Sequence, residues 1–177
     1  TGSNLTEAYD LTETSPGVCC TLLGKPWNGT IGLPVSSTEV SIRDDNFEEL
    51  PLWDGQSDIV KHTGEICVRG PQVMRGYWNN PDETALAMQD GWLKTGDIGS
   101  ADEFGFLKIE GRISRFSKIG GEMVPHEALE AAIMNIWNLD PADEERRIAV
   151  VTIPDPVKGE AVALLTTLVT DYVHQAC

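Results

Sequence analysis

Along the chain the spacing of apolar positions changes character once. Residues 31–42, "IGLPVSSTEVSI", end in alternation, with Val40 and Ile42 on one side and polar residues between them, and the pattern predicts a strand after a Gly-Leu-Pro turn. The polar, turn-rich stretch 43–63 predicts a loop. "GEICVRG" sets Ile66 and Val68 against Glu65, Cys67 and Arg69 between two glycines, which predicts a strand buried on one face. "PDETALAMQD" opens with Pro81-Asp82 and predicts a short helix to Asp90. "GWLKTGD" predicts a strand that runs into a tight turn, and "GFLKIEGR" another strand. Beyond Val124 the period lengthens. Ala128, Leu129, Ala132, Ile133 and Ile136 predict the buried face of a helix that starts after Pro125. The apolar runs "RIAVVTIPD" and "GEAVALLTTLV" predict two buried strands. The change of period puts an expected boundary after Gly111, dividing the chain into 1–111 and 112–177.

The 177 residues are 41% hydrophobic, enough to bury a core. Thirteen Lys and Arg stand against 28 Asp and Glu, a net charge of −15. A field of that sign disfavours nucleic acid and bare anionic membrane as partners, yet leaves room for an anionic nucleotide where local amides and a cation outweigh it. The four cysteines, Cys19, Cys20, Cys67 and Cys177, contain no Cys-x-x-Cys pair, so a disulfide framework or zinc site is not expected and a cytoplasmic protein with reduced thiols is. No apolar run approaches the ~18 residues of a membrane-spanning helix. The glycine patterns of phosphate loops, dinucleotide folds and esterase elbows are missing as well.

Three polar clusters stand out at strand ends or turns, where side chains can converge on a ligand. They are Tyr9-Asp10-Leu11-Thr12-Glu13, the "KTGD" of Lys94–Asp97, and "GRISRFSKIGGE" from Gly111 to Glu122. Each alone has a plain explanation as a capped turn or a surface loop. Their order is what carries information. "YDLTETSP", "GEICVRGPQVMRGYWNNPDETA", "GWLKTGDIG", "GFLKIEGR" and "KIGGEMVPHEALEAAI" resemble, in sequence, the motifs of the acyl-adenylate-forming superfamily. That superfamily includes acyl-CoA synthetases, luciferases and the adenylation domains of peptide synthetases. The resemblance covers roughly residues 5–168. Within it the stretch after Arg112 is similar to bacterial acyl-acyl-carrier-protein synthetases, above all the synthetase half of the bifunctional enzyme that also carries a 2-acylglycerophosphoethanolamine acyltransferase.

The resemblance implies an α+β chain. Its first part would be the β-rich, distorted-barrel end of a large adenylation domain, and its second the start of a small, mobile α/β domain. It further implies that the family's phosphate loop and C-terminal catalytic lysine fall outside this stretch, so the 177 residues alone would be inactive. The implied reaction joins a fatty acid to ATP as acyl-AMP and passes the acyl group to a phosphopantetheine thiol, that of acyl carrier protein or, alternatively, CoA. A non-catalytic nucleotide- or partner-binding version of the fold is the reading from another class. An association of the whole protein with the cytoplasmic face of the inner membrane would fit the bifunctional relatives.

Residue by residue, Tyr9 matches the aromatic that stacks on adenine, Thr12 the hydroxyl on the α-phosphate, and Glu13 the carboxylate that holds Mg²⁺. Asp97 and Arg112 match the pair that binds the ribose hydroxyls. Ser114 falls at the hinge, Lys118 in a loop that swings into the site, and Gly121 where the thiol's tunnel leaves no room for a side chain. Two positions depart from the family pattern. Asp10 replaces a glycine that lies against the acyl pocket, which implies a differently shaped pocket or a shorter, more polar acyl group. Pro125 comes one place early in "GEMVPHEALE", with Glu130 retained.

Overall fold

The computed structural model describes residues 6–22, 24, 29–139 and 147–168. The chain forms two compact units, Thr1–Ile113 and Ser114–Cys177.

In the first unit, β1 (Ala8–Asp10), β2 (Gly17–Cys20) and β3 (Leu33–Pro34) form one antiparallel sheet in that order. A second sheet holds β4 (Glu39–Arg43), β5 (Gly64–Arg69), β6 (Met88–Gln89), β7 (Trp92–Ala101) and β8 (Leu107–Arg112). Its path is β4-β5-β7, and the long β7 then takes β6 against its first residues and β8 against its last. Tyr9, Val18 and Cys19 from the first sheet and Ile42, Ile66, Val68, Ala101 and Leu107 from the second make one buried cluster. Helix α1 (Pro81–Ala87) lies on the surface. Asn80 caps it by accepting from the Glu83 N–H, Pro81 is preset for its first turn, and Asp82 and Glu83 favour its positive end.

The predicted strand over 31–42 is in fact β3 and β4 with a turn between them, because Thr38 N–H donates to the Val35 carbonyl. The predicted loop 43–63 contains a 3-10 turn, Ile59–His62. The first helix stops at Ala87, three residues short of the prediction, and the chain passes directly into β6. Strand β5 is buried on both faces, Cys67 included, since it lies between β4 and β7. Adjacent Cys19 and Cys20 do face opposite ways, one buried and one exposed. Burial pushes the thiols of Cys19 and Cys67 up to about 12.

The second unit has a four-stranded antiparallel sheet ordered β10-β9-β12-β11. Its strands are β9 (Phe116–Ile119), β10 (Glu122–Pro125), β11 (Ile148–Asp155) and β12 (Gly159–Thr166). Helix α2 (His126–Ile136) packs on β11. Its packed side differs from the predicted one. Leu129, Glu130, Ile133 and Met134 are half-buried and His126 is buried, whereas Ala128 and Ala132 face solvent and Ile136 is 69% exposed. Two polar residues displace the expected apolar face because each finds partners underneath. Glu130 accepts from Val150 N–H at 2.7 Å and pairs with Arg115 at 2.5 Å, and His126 Nε2 lies 2.7 Å from Ser117 Oγ. The two apolar runs are less buried than their composition predicts. Ile148 and Val150 are interior, but Ile153, Leu164 and Leu165 are exposed, consistent with a sheet on which α2 alone packs among the described residues.

Candidate functional site

The "KTGD" stretch does not end its strand. Lys94 stands opposite Cys67 and Ile98 opposite Glu65, so Thr95, Gly96 and Asp97 together face the single residue Ile66. This is a bulge, the local device that re-aims a side chain without ending a ladder. Gly96 takes φ +72°, a conformation that costs an L side chain dearly. The bonds lost by the ladder are replaced nearby. Thr95 Oγ1 donates to the Ile66 carbonyl at 2.7 Å and accepts from Asp97 N–H at 3.1 Å, while Gly96 N–H donates to Glu65 Oε1 at 3.0 Å.

The bulge buries Asp97 to 3% exposure. Tyr9 Oη donates to its Oδ2 at 2.6 Å, and Arg112 Nε lies 2.8 Å from its Oδ1. Burial and the bond to Asp97 push the Tyr9 hydroxyl well above its usual pKa. Tyr9 is itself part of the core cluster. What it offers the site is therefore its hydroxyl on Asp97, not the open ring face that stacking on a base needs.

The opening motif forms a 3-10 turn, Thr12–Thr14. Thr14 is the interior member, donating its hydroxyl to the Pro16 carbonyl at 2.7 Å, which leaves Thr12 exposed and Glu13 half-buried on the outside of the turn. Glu13 is held from a distant loop, because Tyr77 Oη donates to its Oε1 at 2.8 Å. That bond is the main reason the Tyr77 hydroxyl is raised above its usual pKa. Thr12, Glu13, Tyr77, Lys94 and Arg112 line one polar cleft of about 390 Å³, with the exposed Asp10 also on its wall. Asp10 thus sits among polar groups and solvent and not against apolar residues. Asp97 and Tyr9 are not among the lining residues and reach the cleft through Arg112.

Among the described residues no group of three or more His, Cys, Asp or Glu is gathered to hold a metal. A magnesium ion bound with a nucleotide needs less, usually one or two carboxylates plus phosphate oxygens and water. Glu13, with Oε1 engaged by Tyr77, fits that smaller demand.

Lys118 and Gly121 belong to the second unit. Lys118 is exposed on strand β9, not in a loop, and its N–H donates to the Glu160 carboxylate. Gly120 and Gly121 form the two-residue turn between β9 and β10, with φ +61° and +95°. A Cβ at Gly121 would meet nothing within 4 Å. Within this unit the turn's backbone, and not crowding, calls for glycine there. Sequence reading does not single out Tyr77 or Thr14. Tyr77 sits in "GYWNN" with nothing local to mark its partner, 64 residues away.

Comparison with known proteins agrees with this arrangement. Residues 1–78 match the AMP-binding enzyme family. The chain is 42% identical to a long-chain-fatty-acid–CoA ligase of Yersinia pestis over 168 residues, 92% of this chain and 26% of that protein. It superimposes on ATP-bound MatB from Rhodopseudomonas palustris with a TM-score of 0.67 at 29% identity, covering 94% of this chain and 31% of that one. It superimposes equally on O-succinylbenzoate coenzyme A synthetase from Bacillus subtilis in complex with AMP, with a TM-score of 0.65 at 28% identity over 98% and 34% of the two chains. The β-rich fold is that of the adenylate-forming enzymes. The chain spans about a quarter of the length of the curated relatives it matches. No helix among the described residues is long and apolar enough to cross a membrane.

Proposed function

We propose that this chain is part of an ATP-dependent acid–thiol ligase that activates a fatty acid as acyl-AMP and transfers the acyl group to CoA. The observation that carries the reading is the polar cleft that gathers Thr12, Glu13 and Arg112, with Arg112 bonded to the buried Asp97. The reaction brings a carboxylate up to the α-phosphate of ATP, so the site must supply donors and cations where negative charge accumulates. Thr12 would donate its hydroxyl to the α-phosphate. Glu13 would hold Mg²⁺, whose charge, when bound, offsets that of the phosphates. Asp97 would accept from the ribose hydroxyls. Each of its oxygens already takes one bond, and a carboxylate offers about four acceptor sites in all, so capacity remains once the exposed Arg112 moves aside. Tyr9 would act by fixing Asp97.

The second half-reaction is assigned to residues 112–177, taken as the beginning of a small domain that turns about Ser114. The division of the chain between Ile113 and Ser114 supports this. Lys118 and Gly121 would border the path of the thiol. CoA is favoured as acceptor by the names of the relatives. Acyl carrier protein is the second reading, resting on the sequence after Arg112, and presenting both acceptors to the whole protein separates the two. The test of the site is Asp97→Ala in the whole protein. Loss of a buried charged acceptor weakens ATP binding by about 1.5–3 kcal/mol, and an unchanged Kd in a folded variant removes Asp97 from the site.

A further inference from the structure

We propose that Tyr77 is a positioning residue that holds the Glu13 carboxylate in the orientation a divalent cation requires, an inference that rests on Glu13 being the cation's ligand. The loop that follows β5 takes hold of Glu13 twice. Met74 N–H donates to the Glu13 carbonyl at 2.7 Å, and three residues later the Tyr77 hydroxyl donates to Glu13 Oε1 at 2.8 Å. One bond fixes the backbone of the Thr12–Thr14 turn and the other fixes the side chain that leaves it. The loop is braced in turn by the next helix. Tyr77 N–H donates to Thr84 Oγ1 at 2.9 Å, and Thr84 Oγ1 donates to the Asn80 carbonyl at 2.8 Å, so the hydroxyl of Thr84 ties Tyr77 to the start of α1.

The bond is not there to satisfy a stranded carboxylate. Glu13 is only half-buried and Tyr77 is 39% exposed, so water could serve Oε1 equally well. What a tyrosine supplies and water does not is direction. With Oε1 engaged by a neutral donor, Oε2 remains for a cation, and the side-chain rotamer is selected before the cation arrives. A phenol hydroxyl leaves the carboxylate's charge in place, unlike an arginine or lysine at the same point, which would compete with the cation.

The test uses the whole protein with ATP and Mn²⁺ as the probe. Bound and free Mn²⁺ are measured by electron paramagnetic resonance, and the affinity for ATP in EDTA is measured separately. Tyr77→Phe is expected to weaken Mn²⁺ binding roughly 10-fold and to leave ATP binding in EDTA unchanged. Glu13→Gln weakens Mn²⁺ at least as much. The double variant is no weaker than Glu13→Gln, because Tyr77 acts only through Glu13. Thr84→Val, which loosens Tyr77 without touching the cleft, gives a smaller shift of the same sign and serves if Tyr77→Phe folds poorly. Mn²⁺ affinity equal to wild type in Tyr77→Phe and Thr84→Val, with Glu13→Gln weakened, overturns the role of Tyr77 alone. Wild-type affinity in Glu13→Gln overturns the assignment of Glu13, and this inference with it.

Discussion

Arg112 Nε lies 2.8 Å from Asp97 Oδ1, and the two residues stand directly across from one another on β7 and β8. The pair is asymmetric. The Asp97 side chain is 5% exposed and the Arg112 side chain 61%. A fixed carboxylate beneath a solvent-facing guanidinium gives a buried acceptor whose cover can move without disturbing the core.

The other side of that carboxylate is held by the Tyr9 hydroxyl, inside the core. Tyr9→Phe keeps the ring and removes the donor. It is expected to destabilise the first unit by about 1.5–3 kcal/mol, the range for a hydrogen bond to a charged group. Arg112→Ala, at an exposed end, is expected to cost less. Urea denaturation of the two variants checks the order, and a larger loss for Arg112→Ala would show that the hydroxyl does not hold Asp97.

Gly121 separates two explanations of a glycine. Its φ of +95° disfavours any L side chain, and the space a Cβ would occupy is open. Gly121→Ala and Gly121→Leu are therefore expected to lower stability alike, by about 1–2 kcal/mol. If Gly121 also borders the thiol's path, only Gly121→Leu in the whole protein abolishes transfer to the thiol, while ATP–pyrophosphate exchange survives in both. Equal loss of both half-reactions in Gly121→Leu, at a preserved melting temperature, contradicts that placement.

His126 gives the second unit a pH dependence. It is 1% exposed, its Nδ1 is buried without a hydrogen-bond partner, and Ser117 Oγ, beside its Nε2, lies 2.7 Å from Thr152 Oγ1. Burial, and then the charge of Arg115, hold its pKa below the usual value. The folded chain therefore binds its proton less readily than the unfolded chain. Stability is complete above the ordinary histidine pKa of about 6.5 and declines as the pH falls from there through the lowered folded value. Melting temperatures between pH 7.5 and 5.5 should fall more steeply for wild type than for His126→Gln. Parallel slopes would show that His126 is not the group responsible.

Much of the site is legible in the sequence because its parts are short and local. Thr12, Glu13, Asp97 and Arg112 each sit in a motif whose order survives folding, and strands β5 and β8 follow from alternation between turn residues. What stays hidden depends on distant partners. Asp97 marks a bulge and not a turn because Thr95 and Glu65 replace the ladder's bonds, which becomes visible only when β5 is set against β7. Helix α2 turns His126 and Glu130 inward because Ser117, Arg115 and Val150 receive them, whereas apolar periodicity counts both as solvent-facing. Tyr77 carries no local signal at all, since its meaning lies in Glu13.

The most direct measurement is carboxylate-dependent ATP–pyrophosphate exchange by the whole protein, scanned over fatty acids of increasing length. The account predicts exchange that requires a fatty acid and falls by roughly 10-fold or more in Asp97→Ala, the loss expected for a charged acceptor. Absence of exchange with every carboxylate, in a folded protein that still binds ATP, would contradict it.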